Sequence, residues 1–441
     1  MATEPIHRVD EPRRYRVAGI LLLTMALAAI ISAITHKVPA WLPGILAWSA
    51  LFLVLPRLVF AQRIQATVLL SAGVASLMLA WSRGTPPDSV SLLNSNNNLL
   101  VLLAGVSYLR LVTIPETGNS EPLPHGRLAF IRTLLGTHLF SSVINLSALL
   151  IVADRLSDGY RLDRESAVPL ARAFSAAAFW SPFFAAMGVA LTYAPGASLS
   201  RLVLQGLPLA CIALVYTYIE SLKSDHYRLR NYAGYPVHFS ALWIPFVMVL
   251  GVLWIHHLRP ELSVLLVVAG LSLILTVLTS LLRNPDTAIT AFRTHTLESL
   301  PTMSGELALF LSAGVLSAGL GSLFHSVENL LPVLTLTFPV AAGALMVMVI
   351  LSILGIHPVI SITILGAWLS PQKPDPDLLG TLFLCSWAIG VVAAPLSGMN
   401  LALHGRYGVK GKNMIFWHYR YVLFMLLVAI TLIGWYTHVN N

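Results

Sequence analysis

The apolar positions of this chain gather in long runs, near residues 17–35, 41–56, 65–82, 91–112, 129–153, 167–193, 201–220, 238–256, 262–282, 297–322, 331–369, 378–403 and 417–437. A helical bilayer crossing takes about 20 residues. The runs therefore predict an all-α polytopic membrane protein with about 10–13 membrane segments, some broken or re-entrant. Polar connections are short, near 113–128, 154–166, 221–237 and 283–296, so the whole chain reads as one membrane unit.

The runs repeat in order. LLGTHLFSSVINLSALL (134–150) aligns without gaps with ILGIHPVISITILGAWL (353–369), pairing Gly136 with Gly355 and His138 with His357. NNNLLVLLAGV (96–106) aligns with GELALFLSAGV (305–315), and FWSPFFAAMGVAL (179–191) resembles VAAPLSGMNLAL (392–403), pairing Pro182 with Pro395. After the His block the first half carries Arg155, Arg161 and Arg164, and the second only Lys373. After the Pro block the pattern swaps: 193–200 is uncharged, whereas 404–413 carries Arg406, Lys410 and Lys412. Basic loops mark the cytoplasmic side, so the halves are expected to be inverted-topology repeats. The organisation expected is a cytoplasmic N-terminus (1–16), an N-terminal membrane repeat with one extra leading helix (17–220), a cytoplasmic linker (221–237) and a C-terminal inverted repeat (238–441). Arg13, Arg14 and Arg16 precede the first run, which reads as a retained signal-anchor.

Parity requires one of 91–112 and 129–153 to enter and return, because the basic loop 154–165 belongs inside. The expectation is a re-entrant hairpin at 91–112, with a counterpart at 297–322.

Composition agrees with the pattern. The chain is 56% hydrophobic and 10% charged, with a mean hydropathy of +0.78; soluble domains carry about 25% charge. The net charge of +8 is scattered over short loops, which gives no nucleic-acid patch and serves first as a topology signal. Cys211 and Cys385 lie in apolar runs and imply neither a disulfide framework nor a metal site.

Candidate chemistry lies where polar residues interrupt the runs. Ser95, Asn96, Asn97 and Asn98 open one run and Ser304, Gly305 and Glu306 its counterpart. Amides at a helix start suit an anion at the N-terminus and oxygens around a cation, and a carboxylate entering a membrane segment is a functional candidate. His138 and His357 recur at equivalent places and are candidates for proton transfer; Pro182 with Trp180 and Ser181, and Pro395 with Ser397 and Asn400, suit broken helices. Each also has a plain reading, as a cap, a packing residue, a kink or an interhelical hydrogen bond, and Asn145 joins that group. No Arg or Lys reads as fixed deep in an apolar run.

These motifs (SNNN at 95–98, SGE at 304–306, WSP at 180–182, APLSGMN at 394–400 and GIHPVIS at 355–361) resemble the ion transporter superfamily, related to divalent-anion/Na⁺ symporters and TRAP membrane subunits. The Ser-Asn-Thr signature of its dicarboxylate branch matches at Ser95 and Asn96, with Asn97 standing in place of Thr. The resemblance implies an elevator mechanism, a homodimer, and Na⁺ or H⁺ coupling. The function expected is cation-coupled secondary transport of a small anion such as an organic acid, in the cell (inner) membrane with a cytoplasmic N-terminus. Ser95, Asn96, Asn97, Ser304, Ser181, Pro182, Pro395, Ser397 and Asn400 would meet the substrate. Asn98, Glu306, His138 and His357 would couple the ion. No cofactor beyond Na⁺, no bound metal centre and no catalysis is expected; membrane lipid is the surrounding partner. A cation/proton antiporter is the second reading. A polytopic membrane enzyme is the third, disfavoured by short, charge-poor outer loops.

Overall fold

A computed structural model describes residues 12–113, 122–159, 161–223, 229–237, 243–327 and 335–440. Most of the expected N-terminal arm and part of the linker lie outside these residues. The first half comprises α1 (Arg13–Thr35), α2 (Leu42–Val54), α3 (Phe60–Ser82), α4 (Ser89–Leu93), α5 (Asn97–Ser107), α6 (Arg110–Thr113), α7 (Arg127–Ile144), α8 (Leu146–Leu156), α9 (Arg164–Ala177), α10 (Ala185–Tyr193) and α11 (Leu199–Lys223). The second comprises α12 (Trp243–Leu258), α13 (Val264–Arg283), α14 (Pro285–Thr294), α15 (Ser304–Ser326), α16 (Phe338–Ile353), α17 (Pro358–Leu369), α18 (Pro376–Ala393), α19 (Gly398–Tyr407) and α20 (Gly411–Asn440). The protein is an all-α, multi-pass membrane protein. Seven helical stretches among the described residues are long and apolar enough to span a bilayer. Outward faces carry residues such as Leu204, Leu282 and Phe416, as contact with lipid requires.

Two helix pairs fold back on themselves. Along α7, His138 meets Ala173 of α9, Ser142 meets Ser181 and Asn145 meets Phe183, so α7 and α9 run parallel. Were α8 to continue forward, its 11 residues and the 14 of α9 would leave about 37 Å to recover, at 1.5 Å per residue. The eight steps from Leu156 to Arg164 span at most about 29 Å. Hence α8 returns, and Asn145 is the tip of a hairpin. The same holds for α16, which runs parallel to α18: Ser352 lies against Gly390 and Gly355 against Leu396. The 12 residues of α17 and the 18 of α18 would leave about 45 Å for seven steps spanning about 25 Å. The second hairpin therefore turns at Gly355–His357, where the φ of +99° at Gly355 suits glycine.

This corrects the expected hairpins at 91–112 and 297–322. Near its start α5 places Leu99 beside Gly188, which also meets Leu265, then passes Ala269 at Gly105, and α6 continues to where Arg283 bonds the Val112 carbonyl, so α5 and α6 run the length of α13 without returning. α15 runs parallel to α3, with Gly305 beside Gln62 and Gly319 beside Gly73. Parity stays satisfied because the fold-back moves to 127–156. A single Asn at the tip turns the chain there, and a cluster of asparagines at 94–98 does not. The supposed loop at 283–296 is helical, and α14 runs on through a π-helical turn (His295–Ser299) and a 3₁₀ turn (Leu300–Met303) into α15. Cys385 is buried as expected, but Cys211 faces outward.

Each half thus carries hairpin, broken helix and long helix in that order: α7/α8, α9/α10 and α11, then α16/α17, α18/α19 and α20. α11 runs antiparallel to α9, with Gly206 beside Phe179 and Glu220 bonded to Arg172. It runs parallel to α18, with Leu202 beside Gly380 and Gln205 bonded to Thr381. The two broken helices therefore point in opposite directions.

In a background lacking native cysteines, we predict that single cysteines at Pro124 and Ser157 label from the same side of the membrane and one at Gly84 from the other. Labelling of 124 and 157 from opposite sides would show that 127–156 crosses once.

Candidate functional site

The breaks in the helices sit against the hairpin tips. At the first, the Ser181 hydroxyl donates to the Ser142 carbonyl and accepts from the Phe183 N–H (3.2 Å), and Asn145 Nδ2 donates to the Phe183 carbonyl (3.1 Å). Asn145 is forced to positive φ (52°), a conformation Asn tolerates better than most residues. At the second, Ser397 caps α19 by accepting from the Asn400 N–H (3.3 Å), and Asn400 Nδ2 faces the Val391, Val392 and Ala394 carbonyls at the open end of α18 (3.3, 3.2 and 2.8 Å). Pro182 and Pro395 supply the residues without an N–H. After each amide donor is used, the Asn145 and Asn400 Oδ1 atoms are left buried with no donor. Buried polar groups seldom stay unpaired.

Four short helices start at these breaks, α8, α10, α17 and α19, and four end there, α7, α9, α16 and α18. Helix starts present N–H groups and partial positive charge, and helix ends present carbonyls and partial negative charge. The two halves interlock, since α10 packs on α17 and α18, and α9 packs on α18.

The candidate histidines differ. Trp180 Nε1 donates to His138 Nε2 (3.1 Å), so the proton sits on Nδ1, which donates to the Ala173 carbonyl (3.0 Å). Both nitrogens thus brace the hairpin against α9. His357 caps α17 by accepting from the Val359 N–H (3.3 Å), lies edge-on to Trp387, and lines a cavity of about 570 Å³. Glu306 reaches the same cavity from α15, beside Gln62 and Gln65 of α3 and the Gly355 tip. Glu306 has no ion-pair partner among the described residues. The two glutamines escaped sequence analysis because AQRIQA reads as the polar edge of an apolar run.

The structure does not bring the Ser95–Asn98 group to the breaks. Asn96, in the left-handed conformation (φ 64°), donates to Tyr193 Oη and the Phe310 carbonyl (both 2.8 Å) and accepts from Tyr193 Oη (3.2 Å). Ser95 packs on Gly314. Tyr193 ends α10, whose other end begins at the break, so the asparagines lie a helix length away, about 13 Å for its nine residues. They line a separate cavity of about 720 Å³. Ser304 is buried at the start of α15.

One buried cation contradicts the expectation that no Arg or Lys lies deep. Arg172 of α9 is 1% exposed. It pairs with Glu220 of α11, donates to His418 Nδ1 and the Trp417 carbonyl of α20 (both 3.2 Å), and stacks 4.7 Å over the Tyr421 ring. The single Arg inside PLARAFSAAAFW was its signal. Each of its three nitrogens bonds protein and the group is buried, so it serves as a clamp between three helices rather than as a substrate contact.

No family model matches the chain, and no curated protein matches it. Among solved structures, the YdaH transporter of Alcanivorax borkumensis, described as having an unusual topology, is similar over 98% of this chain and 99% of that chain. Identity is 14% and the TM-score 0.42, a likeness too distant to carry an argument.

We predict that Arg172→Ala lowers stability by about 3 kcal/mol, the low end for a broken buried pair, because Glu220 is 29% exposed. Adding Glu220→Gln to that variant should recover part of the loss. Thermal unfolding of the purified proteins in detergent checks both, and an unchanged melting temperature in Arg172→Ala would remove the clamp.

Proposed function

We propose that this protein is a secondary active transporter that moves a small anion, such as an organic acid, with a coupled cation. The observation that carries the reading is the doubled arrangement of hairpin tip against helix break, in opposite directions, with an unpaired amide oxygen at each. Irregular backbone at bilayer depth occurs where protein or a water-filled cavity surrounds it, and transporters place substrate and ion at such breaks. The N–H groups that start α10 and α19 suit carboxylate oxygens. Asn145 Oδ1, Asn400 Oδ1 and the carbonyl ends of α7 and α18 suit a hard cation such as Na⁺. Ser181, Pro182, Pro395 and Ser397 are the substrate-facing residues of this reading. A basic loop at 404–413 and an uncharged one at 193–200 support a cytoplasmic N-terminus in the inner membrane.

Access would alternate by an elevator movement. The hairpins and broken helices would slide past a wall formed by α3 and α15, and Glu306 with His357 line one cavity at that boundary. Proton coupling through this pair is a second reading of the coupling ion, favoured by their sharing one cavity. A homodimer is part of the same proposal.

The test is uptake into proteoliposomes of mono-, di- and tricarboxylates and inorganic oxyanions under imposed Na⁺ or proton gradients. We expect one carboxylate class to accumulate under one gradient. Asn145→Leu and Asn400→Leu should weaken the response to the coupling ion by about 10- to 100-fold, as expected from losing a bond of about 1.5–3 kcal/mol to a charged group. Glu306→Gln should abolish accumulation only if protons drive it. No gradient-driven uptake of any anion, in protein shown to be folded, would sink the proposal.

A further inference from the structure

α20 runs for 30 residues without an acidic side chain. Its tryptophans and its exposed aromatic side chains gather at two levels, with Phe416, Trp417 and Tyr419 at one and Trp435 at the other. From Trp417 to Trp435 the helix rises about 27 Å, at 1.5 Å per residue. The hydrocarbon core of a bilayer is about 30 Å thick, and Trp and Tyr collect at its two borders. The two levels therefore mark those borders. Lys412 stands in the headgroup layer, about 7 Å beyond the first border, and Arg420 stands about one turn inside it. This is the end of α20 next to the basic loop 404–413, the cytoplasmic side by its charge.

Side chains on a helix lean toward its N-terminus, so Arg420 reaches back from inside the border toward the headgroups. Lys412, Phe416, Tyr419, Arg420, Leu423 and Leu427 recur at helical spacing and are all exposed, so they form one stripe facing the lipid. The polar groups on this stripe are donors. Arg420 Nε donates to Tyr419 Oη (2.8 Å), which leaves the remaining guanidinium N–H groups and the tyrosine O–H uncommitted. Lys412 has no hydrogen-bond or ion-pair partner among the described residues. Glu220 of α11 is close enough to act on Arg420, but its own carboxylate is held by Arg172. The stripe therefore offers two cations without an uncompensated acid, followed by an apolar track along Leu423 and Leu427.

We propose that this stripe binds an anionic phospholipid of the adjoining leaflet. The phosphate lies between Lys412 and Arg420, the Tyr419 O–H donates to it, and an acyl chain follows Leu423 and Leu427. Phosphate oxygens are acceptors and meet only donors here. A zwitterionic lipid brings the same phosphate with a cation attached, which Lys412 and Arg420 repel. The other occupant of a lipid-facing stripe is a second copy of this chain. Two-fold pairing would set the patch against itself, cation against cation, with no acid on either α20. The buried face of the same turns carries His418 and the Trp417 carbonyl, to which Arg172 is bonded, so the lipid and the clamp hold opposite sides of one helix end.

The experiment is thermal unfolding of the purified full chain in detergent, titrated with dioleoyl phosphatidylglycerol, dioleoyl phosphatidylcholine or inorganic phosphate. A ligand that binds the folded state raises the melting temperature. We expect a larger rise with phosphatidylglycerol than with phosphatidylcholine. We expect Lys412→Gln combined with Arg420→Gln to weaken the apparent affinity for phosphatidylglycerol about 30-fold, the joint effect of two basic groups at an anionic surface. Lys37→Gln combined with Arg83→Gln, at the opposite ends of α1 and α3, should leave it unchanged. All four residues are exposed, so both double variants are expected to fold. Equal rises with the two lipids overturn the proposal. So do an equal rise with inorganic phosphate, an unchanged affinity in the 412/420 variant, or an equal loss in the 37/83 variant. Lipid selectivity needs no transported substrate, so this proposal and the transport reading can fail separately.

Discussion

Interrupting a helix inside a membrane exposes backbone groups that no water can reach, and this structure is organised around meeting that cost. Asn400 does so at one break by directing its amide to the carbonyls that end α18. Ser181 and Asn145 do so at the other by tying a hairpin tip to the chain beyond α9. Without these side chains the carbonyls would lie unpaired in a low-dielectric interior, at about 1–3 kcal/mol each.

Much of the fold was legible. Apolar runs located nearly every helix, and the recurrence of a Pro block located both breaks at Pro182 and Pro395, whereas the His block paired His138, inside α7, with His357, at the second hairpin tip. The swap of basic loops gave opposite directions for the halves, and the helix contacts agree with it. The placement of the fold-backs failed for a physical reason. Four asparagines at 94–98 look like a stronger turn than one at 145, but side-chain number does not set backbone direction. What turns the chain is a residue able to hold positive φ where a tip can pack on a break, and Asn145 and Gly355 do this in quite different sequence settings.

The site was legible only in part. Ser181, Pro182, Pro395, Ser397 and Asn400 lie at the breaks because proline and small polar residues in an apolar run report a local event. Arg172 was hidden because its partners, Glu220 and His418, are contributed by helices far along the chain. The same holds for Gln62 and Gln65, whose cavity exists only once α3 lies against α15. His138 shows the converse: recurrence in both halves suggested shared chemistry, whereas in the first half both ring nitrogens hold structure together and in the second one caps a helix.

The closeness of α3 to α15 has a mechanical consequence. A methyl group at Gly319 would lie 2.3 Å from the Gly73 carbonyl oxygen, so the two helices touch backbone to backbone. Elsewhere Arg172 bolts α9 to α11 and α20. Backbone contact leaves that helix pair few side chains to rearrange at the point of contact, while one ion pair and two hydrogen bonds from a single guanidinium tie α9 to α11 and α20. The cavity that Glu306 and the Gly355 tip share lies against α3 and α15, where the proposed elevator movement would have to pass.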